Sequence, residues 1–137
     1  MHNKIKIKIA KIGSQIFDSM EYNLNESLIF LGHQSKIFDI YTSFIYRGSI
    51  GKYAKVYNKI RRNYDNNFDV EVFQKLFNRV SDYNPDLVIC VYRFIHPQFV
   101  SNCKYKCYTI IHINPDALTT FEYQQVFASN YDVWFSK

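Results

Sequence analysis

The chain has 137 residues, 47% of them hydrophobic and 21% charged, with a formal net charge of +5. That length suits one domain with its own core, and the composition is ordinary for a globular chain rather than a low-complexity one. The positive charge suits an anionic partner, whether nucleotide, acidic glycan, nucleic acid or lipid surface, without selecting among them.

No apolar run approaches the roughly 20 residues of a membrane-spanning helix. The opening Met1-His2-Asn3-Lys4-Ile5-Lys6 runs straight into a strand pattern, with no visible targeting segment. The odd cysteine count (Cys90, Cys103 and Cys107) points to a reducing cytoplasm. Cys90 lies in an apolar run and reads as a small core residue. Cys103 and Cys107 have no second ligand pair nearby, so no zinc site is expected. The 12 Tyr and 12 Phe have two readings, an aromatic binding surface or AT-rich coding, and the heavy Lys, Ile and Asn usage favours the second.

In chain order, Ile5, Ile7 and Ile9 alternate with Lys4, Lys6 and Lys8, and Ala10 and Ile12 follow. This predicts a first strand with one face partly wet at its start, ended by a turn at Gly13-Ser14. Asp18-Ser19-Met20-Glu21 is a variant capping box. Met20, Leu24, Leu28 and Leu31 then fall at helical spacing, and Gly32 fits the left-handed position past a helix end. Gln34 to Ile40 predicts a second strand.

From Ile40 to Tyr64 there is no acid, while Arg47, Lys52, Lys55, Lys59, Arg61 and Arg62 fall inside. Ile50, Tyr53, Ala54, Tyr57, Ile60 and Tyr64 trace one helical face, expected to be buried with the bases opposite. Asp65-Asn66-Asn67 breaks the chain. A second helix follows with Val72, Phe73, Leu76, Phe77 and Val80 inward, ending before Asn84-Pro85.

Asp86 to Tyr92 is a third strand, apolar enough to be covered on both faces. Pro97 opens a short helix through Asn102. Lys106 to Ile113 is a fourth strand, Thr119-Thr120-Phe121-Glu122 caps a helix to about Ser129, and Tyr131 to Phe135 is a fifth strand. Strands alternating with helices imply parallel pairing: an α/β fold, a Rossmann-like three-layer α/β/α sandwich with a five-stranded parallel sheet. The order 2-1-3-4-5 satisfies the right-handed crossover rule.

Ligands in such sheets sit at the carboxyl ends of the strands. That edge would carry Arg93, His112, Asn114 and Asp116. Asp116 is the candidate general base, and an Asx turn or helix cap would explain it equally. Gly13 and Ser14 would bring backbone close to a phosphate or an acceptor, or form an ordinary turn. Arg93 would clamp an anion or make a surface ion pair. His96 precedes Pro97 within reach of the cleft, and His112 has a core-histidine reading beside its cleft reading.

The motifs in their order resemble the amino-terminal domain of glycosyltransferases with two Rossmann-like domains, the GT-B fold. Residues Lys6 to Ser14 are similar to that family's first strand and turn. Leu31-Gly32-His33-Gln34-Ser35-Lys36-Ile37-Phe38 resembles its passage from first helix to second strand, and Asn84-Pro85-Asp86-Leu87-Val88-Ile89 its "PDL" strand. Ile111 to Asp116 and Tyr131 to Lys137 resemble the rim motif and last strand of the spore-maturation CgeB-like branch. Two positions depart from that pattern: Ile113 or Asn114 replaces the rim tryptophan, and Ala117-Leu118 replaces a second Asp-Pro.

The resemblance implies an acceptor-side domain, inactive alone, whose donor-binding carboxy-terminal domain is missing. The complete enzyme would move a sugar from a nucleotide-sugar co-substrate to a glycan, lipid-linked or protein acceptor, with no cofactor or metal held by this domain. Partners would be that missing domain, the acceptor and an anionic membrane surface touched by the Arg47–Arg62 basic helix. No nucleic-acid motif accompanies the basic helix, so nucleic acid is disfavoured.

The alternative is a flavodoxin-like or receiver-like docking module. Gly13-Ser14-Gln15-Ile16 is a poor flavin-phosphate loop, and no acid follows the first strand before Asp18.

Overall fold

The structure is a computed structural model that describes residues 5–13, 19–39, 51–91, 95–114 and 130–136. Five strands are present: β1 (Lys8–Ile12), β2 (Gln34–Phe38), β3 (Leu87–Cys90), β4 (Thr109–Asn114) and β5 (Val133–Ser136). They form one all-parallel sheet in the order β2-β1-β3-β4-β5, as the alternating pattern predicted. The helices are α1 (Met20–Phe30), α2 (Gly51–Tyr64), α3 (Phe68–Tyr83) and α4 (Pro97–Tyr105). The chain is therefore an α/β, Rossmann-like domain.

Side chains alternate across the sheet and sort the core into two layers. Ala10, Ile12, Phe38, Val88, Cys90 and Ile110 face α3 and α4, meeting Val72, Phe73, Leu76, Val80, Phe99, Val100 and Cys103. Ile9, Ile89 and Val91 point the other way, where Leu24 and Leu28 of α1 pack on them. Strand β3 is thus covered on both faces. The α3 stripe is buried at Val72, Phe73, Leu76 and Val80 as its spacing predicted, with Phe68 added and Phe77 half-buried.

Helix ends follow local chemistry. The α1 cap is Ser19 rather than Asp18: its hydroxyl accepts the Tyr22 N–H at 3.1 Å. Gly32 takes the expected left-handed φ of 93° after α1. Asn84 does the same after α3 at φ 50°, and its side chain accepts the Tyr108 hydroxyl at 3.2 Å. Pro97 occupies the first turn of α4 as expected, and α4 continues three residues past Asn102 to Tyr105. That extension delays β4 to Thr109.

Two aspartates act alike at the amino ends of strands. Asp86 precedes β3; its carboxylate accepts the Lys8 N–H at 2.7 Å and its own N–H donates to the Lys8 carbonyl at 2.8 Å. Asp132 precedes β5 and clasps Ile110 the same way, at 2.8 and 2.9 Å. Lys104 also bonds Asp132. The Lys104 ammonium, then the Ile110 amide, hold the Asp132 carboxyl below its ordinary range. Each clasp pins a neighbouring strand in register, where a slip of one residue would turn every side chain to the wrong face.

Three expectations are corrected. Strand β1 starts at Lys8, and Ile5 lies exposed outside it. On α1, Met20 and Leu31 are exposed and only Leu24 and Leu28 reach the sheet. On α2, the stripe expected in the core faces solvent: Tyr53, Tyr57, Ile60 and Tyr64 are all exposed. Helix α2 rests on α3 through Arg61, which bonds Asp65 at 3.0 Å and Glu71 at 2.8 Å and lies over the Phe68 ring. The predicted helix at 119–129 lies outside the described residues.

Candidate functional site

In a sheet of this order the chain turns back between β1 and β3, and crevices for ligands open at the carboxyl edge of that junction. Three strand ends meet there. The Gly13 N–H donates to the Phe38 carbonyl at 3.3 Å, and the Val91 N–H donates to the Ile12 carbonyl at 2.9 Å. Asp39, next after β2, is buried.

Gly13 is itself buried beneath the first turn of α1, where a Cβ would come within 2.5 Å of Glu21 Cγ. A larger residue here would displace the Glu21 side chain. Its amide is already committed to Phe38, so it does not point outward for a phosphate.

Lys11 is the unanticipated member of this site. It lies on the α1 face of β1, is 0% exposed, and its Nζ donates to the Glu21 carbonyl at 3.1 Å. Burial pushes its pKa down from 10.5 to about 8, against the opposing pull of the Glu26 and Glu21 carboxylates. The sequence signal was parity. Lys11 shares a face with Ile9, whereas Lys8 is on the opposite side, its ammonium 4.4 Å from the Tyr83 ring centroid.

His96 is the N-cap of α4. Its Nδ1 accepts the Gln98 N–H at 3.1 Å, and its ring lies 6.0 Å from that of Phe73. The bond requires Nδ1 to be unprotonated, so the neutral ring carries its hydrogen on Nε2. His96→Ala should lower stability by about 1 kcal/mol through loss of the cap. His96→Asn should retain most of it, and urea unfolding of both variants checks this.

His112 is fully buried on the α4 side of β4, with its ring 5.1 Å from that of Tyr131. This is the core placement, and it gives His112 no surface toward a solvent-filled cleft. Tyr131 also bonds Cys90, and burial raises the pKa of that phenol and of the Cys90 and Cys103 thiols. These thiols are packed and unreactive at neutral pH. Asn114 ends β4 at the carboxyl edge, paired in register with Ser136.

Ser14, Arg93 and Asp116 lie outside the described residues. Of the predicted site residues, the structure brings Gly13 to the β1–β3 junction, His96 to the start of α4 and Asn114 to the end of β4. Among the described residues no three His, Cys, Asp or Glu side chains gather as a metal site, and no helix is long and apolar enough to cross a membrane. No family model, curated protein or solved structure matches the chain.

Proposed function

We propose that the chain is the acceptor-side, amino-terminal domain of a GT-B glycosyltransferase of the CgeB-like kind. The observation that carries this reading is where the motifs fall on a parallel sheet of order β2-β1-β3-β4-β5. Gly13 follows β1, Leu31-Gly32-His33 turns α1 into β2, Pro85-Asp86 leads into β3, Asn114 ends β4 and Asp132 leads into β5. The reading is supported by the order of these motifs along the sheet, each at a strand end or a helix-to-strand turn.

In the complete enzyme an acceptor hydroxyl attacks the anomeric carbon of the nucleotide sugar. The bond from that carbon to the diphosphate breaks, and the hydroxyl proton passes to a base. Asp116 is the residue assigned that proton; in the sequence Ser14 follows β1, Arg93 follows β3 and Asp116 follows β4. The domain alone lacks a donor site and is inactive.

The strand order is also that of flavodoxin-like docking domains. The bond from the Gly13 amide to Phe38 argues against a flavin-phosphate loop there.

The test is an assay of the polypeptide encoded by the complete reading frame against a panel of nucleotide sugars. Release of nucleoside diphosphate with at least one donor is expected, and none from residues 1–137 alone. A complete polypeptide that neither hydrolyses nor transfers any donor overturns the reading.

A further inference from the structure

We infer that α2 is a docking surface for an anionic lipid bilayer, lying in the plane of the interface. This inference stands independently of the sugar-transfer reading. Tyr53, Val56, Tyr57, Ile60 and Tyr64 are all exposed, Tyr53 at 79% and Tyr64 at 86%. At 3.6 residues per turn these five positions fall within about 100° of arc. They form one continuous apolar stripe turned away from the protein.

The same 14-residue helix contains Lys52, Lys55, Lys59, Arg61 and Arg62 and no acid. Their spacing places all of them outside the stripe. Arg61 is used internally, bound to Asp65 and Glu71. Exposed Lys59 flanks the stripe beyond Val56.

An interfacial helix has this chemistry: sharp segregation, low overall hydrophobicity, a basic polar face and amphipathic aromatic side chains. Tyrosine suits the boundary because its ring enters the acyl region while its hydroxyl stays among headgroups.

Charge decides against the other occupants. A second copy would bring one acid-free basic helix against another. Nucleic acid would be met by the bases only if the apolar stripe stayed in water, so it leaves the stripe unexplained.

The experiment is co-sedimentation of the purified chain with vesicles of phosphatidylcholine alone and of phosphatidylcholine with about 30% phosphatidylserine. Binding to the anionic vesicles is expected, weakened several-fold by raised salt, with little binding to the neutral ones. The double variant Tyr53→Ser/Ile60→Ser should reduce partition about tenfold or more. Lys55→Glu/Lys59→Glu should remove the preference for phosphatidylserine. Thermal unfolding of both variants should match the parent, since the described side chains exchanged are exposed.

Absence of binding to anionic vesicles overturns the inference, as does binding that survives both double variants. A concentration-dependent dimer abolished by Tyr53→Ser/Ile60→Ser, without vesicle binding, reassigns the stripe to self-association and overturns it too. Salt-sensitive capture of an oligonucleotide without vesicle binding has the same consequence.

Discussion

Replacing Phe99 with alanine is expected to remove about 3–5 kcal/mol of stability, the range for truncating a large buried aromatic. Phe99 is 1% exposed at the centre of the layer between α3, α4 and the sheet. Its ring meets Phe73 edge-on at 6.1 Å and Phe77 at 6.4 Å. The loss has two parts: transfer of the ring to water in the unfolded chain, and the void left between two helices that the sheet holds apart. Domains of this size are stable by about 5–15 kcal/mol in total. The variant should therefore show a much lower urea midpoint or fail to fold at ambient temperature. Phe99→Leu keeps most of the volume and should lose less than half as much. Phe30→Ala, at a position 91% exposed, should shift the midpoint little. Equal effects at Phe99 and Phe30 would contradict the packing described.

The second large effect concerns Lys11. Its folded pKa, about 8, lies below the ordinary 10.5. Between those values the unfolded chain binds more protons than the folded one, so this residue's contribution to stability rises with pH across that window. Below about pH 8 the full burden of burying the ammonium is present. A displacement of that size corresponds to about 3 kcal/mol. Lys11→Met fills the same space without a charge and should stabilise the protein at pH 7 by up to that amount, less the bond to the Glu21 carbonyl.

Cys90, Cys103 and Tyr131 act in the opposite sense, because burial raises their pKa values and folding then opposes their ionisation at high pH. The difference between wild type and Lys11→Met isolates the amine. That difference should shrink as pH is raised from 8 toward 10.5, and unfolding free energies at several pH values measure it. A difference independent of pH would mean that Lys11 titrates normally.

The parallel sheet and the α3 stripe were legible in the sequence because both rest on strong periodicity, whereas the strand order was one choice among those the crossover rule allows. Short β-branched runs can only alternate with helices in a few ways, and Val72, Phe73, Leu76 and Val80 leave one face for the core. Helix α2 was misread for a physical reason. Periodicity shows which side of a helix is apolar, but not whether protein or something else covers it. Lys11 was missed because Lys4, Lys6 and Lys8 made a lysine-rich solvent face easy to imagine. Only the parity of the strand and the placement of α1 bury it. At the carboxyl edge, the positions of Gly13 and Asn114 could be read from the ends of apolar runs. The core reading of His112 was open in the sequence, since it shares strand parity with Ile110, whereas the commitment of the Gly13 amide to Phe38 depends on register, which one chain's pattern does not encode.

The clasps made by Asp86 and Asp132 sit at the amino ends of the strands, the opposite rim from Gly13 and Asn114. Alignment of the strands is thus secured on one side, leaving the other free to diversify. Randomising loops at the carboxyl ends of the strands should therefore yield many well-folded descendants, whereas comparable changes around the two aspartates should yield few.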